Sequence, residues 1–375
     1  MIMRPGVPAR ILMTADTVGG VWTYALDLIR ALRDDGVEVA LACMGGYISE
    51  DQRRDARAID TLELFESKFR LPWMEQPWPD VRRAGEWLLD LSIRVTPHVI
   101  HLNEPVHGSL PWTVPVLAVA HSCVLSWWTS VWGRPAPASW DHYREEMRQG
   151  LRGANQVVTP SRWMLEAVRR LYGIEGGLVI PNGRYPDDLT PAPKEPMVFA
   201  AGRLWDRAKN LLALEDVAQG LPWPIFIAGE PRDPDGDKRV TASHVQLLGQ
   251  LSAKEVAGWL RRASIYAFPA RYEPFGLSVL EAAQAGCALI LGDLPTLREL
   301  WDGAAVFVSP DQPETLRVAL EGLIADAALR QALAMRARRR ALSFTPRRMA
   351  QAYLQVYTDL LAGSGTYAQE TVCAS

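Results

Sequence analysis

Two glutamates eight positions apart, Glu273 and Glu281, frame the stretch RYEPFGLSVLEAAQAG at 271–286. The preceding run SIYAFPA (264–270) has the apolar, β-branched and aromatic make-up of a buried strand. The segment therefore predicts a strand, a short loop carrying Glu273, and a helix that starts near Phe275 and holds Glu281 about two turns in. The first N–H groups of such a helix, from Phe275 through Gly276 and Leu277 to Ser278, lack intrahelical acceptors and point outward. Together with the helix dipole they form an anion site, and Gly276 permits close backbone approach. Glu281, deeper, suits a carboxylate that accepts two hydrogen bonds from a ribose diol, and Glu273 stands at the mouth, placed for sugar hydroxyls. A capped helix with two solvated glutamates is the plainer alternative, and it leaves unexplained why both carboxylates flank a Phe-Gly-Leu helix start.

A second set lies in AAGRLWDRAKN at 200–210. The run MVFAA before it reads as a strand that delivers Gly202 and Arg203 to its carboxyl edge, where open α/β sheets bind ligands. Arg203 and Lys209 there would converge on a pyrophosphate, the arginine through its fork and the lysine as a point charge. Charge-assisted bonds of this kind contribute roughly 1.5–3 kcal/mol each. The alternative is two surface basic residues. A metal is not needed to carry this charge: the six histidines show neither His-x-x-x-His nor His-Glu-x-x-His spacing. His101 and Glu104, in HLNEPVHG, sit at another predicted strand end, with a satisfied core histidine as the competing reading for His101.

These residues need elements to hold them, and the chain supplies two successive alternations of short apolar runs with amphipathic helical patterns. Strands are expected at 9–14, 37–42, 98–102, 114–120, 156–159 and 177–183, with helices such as 22–33, 81–94 and 161–171 between them. The stretch 181–196 then holds five prolines and no apolar periodicity, and reads as a linker. A second series follows, with strands at 197–202, 225–229, 244–249, 264–270, 287–292 and 304–308 and helices at 211–219, 253–262 and 276–285. Beyond Pro310 the pattern is helical, ending in a helix at 347–360 and a small, polar tail from 362 expected to be disordered. Parallel sheets of βαβ units follow from this alternation, in two domains, as a length of 375 residues suggests.

Composition narrows the classes. An apolar fraction of 48%, a charged fraction of 22% and a net charge of −3 describe an ordinary globular protein and argue against nucleic acid as a partner. No run of about twenty apolar residues could span a bilayer, Pro5 and Pro8 interrupt any signal-peptide pattern, and the four scattered cysteines point to a reduced, cytoplasmic protein without a zinc site. Of 14 tryptophans, ten lie at or before Trp163. Trp73, Trp78, Trp127, Trp128, Trp132 and Trp140 fall in stretches read as loops. They either fill core space or form a stacking wall for an acceptor.

With these motifs in place, nearly the whole chain resembles glycosyltransferase family 4, retaining enzymes of the GT-B fold. The resemblance is carried by the Glu273/Glu281 spacing around EPFGLSVLE, the basic pair Arg203 and Lys209, Gly19–Gly20 in DTVGGVW, His121 in VAHS, and, more weakly, Asn182–Gly183, Gly229 and Gly249 in the family's order. It implies an α/β GT-B architecture, two Rossmann-like domains with parallel sheets facing a central cleft: an acceptor domain over residues 1–185, to which a C-terminal helix at 347–361 crosses back, and a donor domain over 186–346, with 362–375 as tail. It implies a glycosyl transfer from a nucleoside-diphosphate sugar, a UDP-sugar since uridine is the commoner nucleoside, to an acceptor hydroxyl on a sugar or small molecule, aromatic acceptors included, without metal or cofactor. On this resemblance Glu281 holds the ribose, Glu273 the transferred sugar, Arg203 and Lys209 the diphosphate with the N–H groups of Phe275–Ser278, Gly19 and Gly20 approach the donor phosphate, His121 touches a sugar hydroxyl beside the anomeric centre, and Gly249 and Gln250 lie against the base. The sequence departs from the family pattern in places. Arg203 and Lys209 stand one residue further apart than usual, leaving Arg207 as a rival to Lys209. Asn210 stands where Gly is common, Ser122 where Asp is frequent, and Arg184–Tyr185 where Val-Asp is familiar.

Other classes fit less well. An NAD-dependent oxidoreductase needs G-x-G-x-x-G after the first strand, and DTVGGVW lacks it. A non-catalytic sugar-nucleotide-binding subunit, an epimerase and a phosphorylase share the expected fold, and the glutamate spacing argues against the last two. The segment 80–94 carries Arg82, Arg83 and Arg94 but also Asp80, Glu86 and Asp90, so membrane association is not indicated.

Overall fold

A parallel sheet covered by helices buries its interior strands on both faces, and the chain builds two such sheets. The computed structural model describes residues 6–186, 189–190, 192–231 and 240–363. Parts of the linker expected at 181–196 and the tail from 364 onward lie outside the described residues. The chain divides into a first unit, Met1–Thr129, Arg134–Gly183 and Pro346–Ser375, and a second, Ser130–Gly133 and Arg184–Thr345.

The first unit contains β1 (Arg10–Asp16), α1 (Gly20–Arg33), β2 (Glu38–Met44), α2 (Glu50–Arg57), β3 (Leu62–Glu66), α3 (Trp78–Val95), β4 (Val99–Leu102), β5 (Val116–Val119), most of α4 (Val124–Trp132), α5 (Asp141–Gly153), β6 (Gln156–Thr159), α6 (Arg162–Tyr172) and β7 (Leu178–Val179). All strands run parallel in the order β3-β2-β1-β4-β5-β6-β7. The chain thus reverses its winding between β1 and β4, the crevice in which doubly wound sheets bind ligands. The sequence pattern missed β3: LELFE carries two glutamates and is only partly buried, and its pairing with β2, Val39 beside Leu62, supplies what its own composition does not. The segment holding Trp127, Trp128 and Trp132 is helix α4, not a loop, because no Gly or Pro interrupts 124–132.

The second unit contains β8 (Glu195–Ala201), α7 (Ala213–Ala218), β9 (Ile225–Ala228), β10 (Gln246–Gly249), α8 (Ala253–Arg262), β11 (Ala263–Phe268), α9 (Leu277–Gln284), β12 (Ala288–Gly292), α10 (Pro295–Trp301), β13 (Ala305–Val308), α11 (Pro313–Ala325) and α12 (Ala327–Ala341). Its parallel order, β10-β9-β8-β11-β12-β13, repeats that of the first six strands of the other sheet. The same reversal therefore falls between β8 and β11, beneath the two motifs that carry charge. The whole of β11 is buried, and Val279, Leu280, Ala282 and Ala283 of α9 are fully covered. Each buried Val or Leu contributes about 1.5–3 kcal/mol towards fixing that helix over the strand end. The final helix, α13 (Pro346–Leu361), belongs to the first unit and packs on α1, Tyr353 lying 6.2 Å from Tyr24 and Arg347 pairing with Asp35.

Candidate functional site

In the second unit the site grows from the ends of β8, β9 and β11. Gly202 N–H donates to Ala228 O (3.0 Å) and Gly229 N–H to Gly249 O (2.8 Å). At Gly229, φ is +151° and an added Cβ would lie 1.7 Å from Gly202 O, so the backbone approach there admits only glycine. The loop that follows β8 is organised by Asp206, which the sequence reading did not single out. Its side chain is 6% exposed; Oδ2 accepts from Arg203 Nη2 (2.7 Å) and Oδ1 from Ala208 N (2.9 Å). Burial raises this carboxyl, but Arg203, Lys209 and the two hydrogen bonds outweigh it, and the group is held below the usual carboxylate range.

Asn210 has φ +52°, which explains why glycine suits this position. Its Nδ2 donates to Pro269 O (2.9 Å) and Pro310 O (3.0 Å), its Oδ1 accepts from Arg271, and Arg271 N donates to Ala208 O (2.8 Å). The loops after β8 and β11 are thereby joined. The consequence is that Lys209 Nζ sits 2.7 Å from Glu273 Oε2, with side chains only 20% and 13% exposed. Arg207, the rival basic residue, is exposed.

Helix α9 starts at Leu277, two residues later than expected. Pro274 and the left-handed Gly276 (φ +91°) delay it, and Phe275 N–H, expected to be open, instead faces Glu273 Oε1 at 3.4 Å. The Phe275 ring is buried edge-on against Phe344. The first helical bond runs from Leu280 N to Gly276 O (3.0 Å), so the N–H groups of Leu277, Ser278 and Val279 precede it. The Ser278 hydroxyl bonds the buried Tyr266 phenol, which also donates to Ala201 O (3.3 Å). One turn into α9, Glu281 Oε1 accepts from Arg184 Nε at 2.6 Å, the two side chains being 18% and 19% exposed. Arg184 is itself pinned, its N–H donating to Phe344 O (3.2 Å) and its carbonyl accepting from Gln284 Nε2 (2.8 Å). The only sequence signal for Arg184 was its departure from the familiar valine. Gly249 ends β10 with φ +72°, followed by the exposed Gln250, and a cavity of about 340 Å³ lined in part by Val240, Val245, Leu247 and Gly249 adjoins it.

The first unit presents its own set at the ends of β1, β4 and β5. Asp16 Oδ1 accepts from Val18 N (3.0 Å), and Gly19 (φ +100°) and Gly20 open helix α1, both exposed. His121, just beyond β5, lies with Nε2 2.8 Å from Asn103 Oδ1; Asn103 bonds Thr14 twice, through N to Oγ1 (2.8 Å) and Nδ2 to O (2.7 Å). The Tyr24 ring meets His121 edge-on at 4.5 Å. Burial pushes His121 down to about 3 and His101 likewise. His101 is a core histidine, fully buried, between Tyr24 OH (3.3 Å from Nε2) and Tyr357 OH (2.6 Å from Nδ1). Glu104, half-buried, is raised to about 8 by burial and by the charge of Asp16. Trp127 and Trp128 are half-buried with rings 6.0 Å apart, while Trp132 is 41% exposed.

Within the second unit the structure thus gathers Lys209, Glu273 and the α9 N-terminus, with Arg203 held on Asp206 in the same loop. Gly19, Gly20 and His121 belong to the first unit. Among the described residues, no three His, Cys, Asp or Glu side chains group as metal ligands, and no helix is long and apolar enough to cross a membrane.

Both halves of the chain match glycosyltransferase family models. Residues 18–187 match the model of Glycosyltransferase Family 4, and residues 195–326 that of Glycosyl transferases group 1. The chain is 26% identical over 390 residues to the phosphatidyl-myo-inositol mannosyltransferase of Mycolicibacterium smegmatis, covering 96% of this chain and 95% of that one. Its fold is similar to that of sucrose-phosphate synthase from Thermosynechococcus elongatus (TM-score 0.78, 18% identity, 94% and 99% of the two chains). It is also similar to HepE of Anabaena, solved in complex with UDP and glucose (TM-score 0.69, 15% identity, 93% and 99%).

Proposed function

This chain is a glycosyltransferase of the family 4 type with the GT-B fold, and from that premise we propose that it moves a hexosyl group from a nucleoside-diphosphate sugar, a UDP-sugar, to an acceptor hydroxyl with retention of configuration. The observation that carries the reading is the pair of carboxylates on either side of the α9 N-terminus, each held by a cation: Glu273 by Lys209 and Glu281 by Arg184. A diphosphate needs positive charge and backbone donors, a ribose diol needs a fixed carboxylate acceptor, and this segment offers both within one helical turn or two.

On this reading the bond from the anomeric carbon to the diphosphate oxygen breaks, and the acceptor oxygen bonds to that carbon on the same face. The acceptor's proton passes to the departing diphosphate, so no side-chain nucleophile takes part. Lys209 and Arg203, with the N–H groups of Leu277 and Ser278, stabilise charge on the leaving group as it develops, a task for which neither divalent metal nor cofactor is required. Glu281 takes the ribose and Glu273 the transferred sugar. Gly19–Gly20 and His121 are assigned to the donor phosphate and a sugar hydroxyl, and Gly249 and Gln250 to the base, on the family resemblance. The acceptor is a sugar or other small hydroxylated molecule, aromatic ones included. The HepE complex supports uridine as the nucleoside, as that of a fold relative.

The test is a thermal-shift panel of nucleoside diphosphates and their sugars, followed by release of the free diphosphate. Stabilisation by UDP and one UDP-sugar, with turnover of that sugar, is the expected result. Stabilisation without turnover with any acceptor would point to a non-catalytic binding subunit, and no response to any nucleoside diphosphate would overturn the reading.

A further inference from the structure

The hydrogen bonds around His121 have directions that chemistry alone fixes. A backbone carbonyl can only accept, so the Asn103 side-chain atom 2.7 Å from Thr14 O is the amide nitrogen. The Asn103 backbone N–H, donating to Thr14 Oγ1 at 2.8 Å, locks the residue in place. The amide oxygen is then the atom that faces His121 Nε2 at 2.8 Å. An amide oxygen cannot donate, so Nε2 must carry the hydrogen. A neutral imidazole has one N–H, which leaves Nδ1 with a bare lone pair, and Nδ1 has no hydrogen-bond partner among the described residues. His121 is half-buried, and the edge of Tyr24 at 4.5 Å sets the plane of its ring.

We propose that Asn103 is a positioning residue that holds His121 in the Nε2–H tautomer, so that Nδ1 accepts a hydrogen bond from a sugar hydroxyl. The sugar rests on the functional reading above; the tautomer does not. Three adjacent strand ends cooperate: Thr14 from β1 orients Asn103 from β4, which orients His121 from β5. Of the titratable groups around this pair, Tyr24 on α1 meets the His121 ring, and His101 on β4, which interacts with both Asn103 and His121, is in turn faced by Tyr353 and Tyr357 on α13. His101 is kept neutral by burial and burial raises the three phenols, so no neighbouring charge favours the imidazolium. The arrangement selects a hydroxyl that can donate: a deoxy, fluoro or O-methyl analogue at the contacted position loses the bond, and an imidazole of the opposite tautomer would offer that hydroxyl a donor instead.

The experiment begins with the unaltered protein. Proton–nitrogen NMR correlation of histidine-labelled enzyme, with His121 assigned by His121→Gln, should show the hydrogen on Nε2; a hydrogen on Nδ1 overturns the proposal. Asn103→Leu keeps the branched shape, in a somewhat larger side chain, and deletes the acceptor. It should move the tautomer equilibrium towards Nδ1–H and lower kcat about 10- to 100-fold, by analogy with loss of the partner that orients a metal-bound imidazole, with a smaller change in donor KM. Asn103→Asp keeps an oxygen on Nε2, but its other oxygen must hold a proton to meet Thr14 O; in that form the Nε2–H tautomer should be retained, and kcat should gain a base limb, absent from the wild type and Asn103→Leu, as the carboxyl ionises. Loss in both donor hydrolysis and transfer locates the hydroxyl on the donor sugar; loss in transfer alone locates it on the acceptor. A folded Asn103→Leu with unchanged tautomer and kcat refutes the assignment. If Asn103→Leu does not fold, the wild-type spectrum and the Asn103→Asp pH profile still decide. Should no sugar nucleotide be turned over at all, the functional reading fails while the tautomer result stands.

Discussion

Removing the Glu281 carboxylate should weaken UDP binding about 30- to 150-fold. One of its oxygens already accepts from Arg184 Nε at 2.6 Å, and the side chain is 18% exposed. The second oxygen and the remaining lone pair of the first are therefore what the group can offer a ribose diol. A hydrogen bond to a charged acceptor contributes about 1.5–3 kcal/mol, and since Arg184 shares the carboxylate's charge, the two together should amount to about 2–3 kcal/mol, which gives the stated range in Kd. Calorimetric titration with UDP of the wild type, Glu281→Ala and Glu281→Gln is the assay, with the melting transition confirming that each variant is folded. Glu281→Gln, which keeps an acceptor but not the charge, should fall between the other two. The wild type should also discriminate against 2′-deoxy-UDP, and Glu281→Ala should not, because the hydroxyl it would miss has lost its partner. Arg184→Met tests the orienting role of the guanidinium and should weaken UDP less than Glu281→Ala does. A folded Glu281→Ala that binds UDP within twofold of the wild type would refute the assignment of this carboxylate to the ribose.

Lys209→Ala should lower kcat about 100-fold, the scale for loss of one donor to a developing oxyanion, with a lesser effect on donor KM; a larger defect in Arg207→Ala would show that the exposed arginine is the one that matters. Turnover should persist in excess EDTA, and activity that vanishes and returns with magnesium or manganese would end the metal-free mechanism. Glu104, raised to about 8, holds its proton more tightly in the folded than in the unfolded protein. Its contribution to stability is thus present below the unfolded value of about 4.3 and is lost as pH rises through about 8. The melting temperature of Glu104→Gln relative to wild type should accordingly rise across that window, and a difference that does not vary with pH would contradict the shift. Trp128→Ala, if folded, should hydrolyse donor but transfer poorly to acceptor. Unchanged acceptor kinetics would remove α4 from the acceptor site, and an unfolded variant would assign the ring to the core.

Several features were visible before any coordinates because they are local. The central strands of both sheets announce themselves by short apolar runs, since a strand covered on both faces has no polar side to confuse the pattern. The loop and helix that follow β11 are visible in Glu-Pro-Phe-Gly-Leu, although the exact helix start is not: Gly276 adopts a left-handed conformation as the chain turns from the strand end into α9. β3 was hidden because an edge strand with two glutamates becomes a strand through its neighbour β2. Similarly, the tryptophans of α4 were misplaced by proximity to Pro135 and Pro137, which follow the helix and do not interrupt it.

The sequence alone determined the fold class, two successive parallel α/β sheets, and supplied the residues proposed to meet a diphosphate and a ribose, because periodicity and motif spacing are properties of contiguous chain. Only the tertiary structure decided who holds whom. Glu281 is paired with Arg184, 97 positions away, and Glu273 with Lys209, 64 away; Asp206 orients the basic loop, and Asn103 and Thr14 orient His121. None of these partnerships leaves a periodic trace: sheet order sets the ends of β8 and β11, and those of β1, β4 and β5, side by side, while Arg184 reaches Glu281 of α9 from the segment that precedes β8. His101, equally suggestive in the sequence, was assigned to the core for the same reason: the hydroxyls of Tyr24 and Tyr357, from helices at opposite ends of the chain, close on its two nitrogens and leave it nothing to offer a ligand.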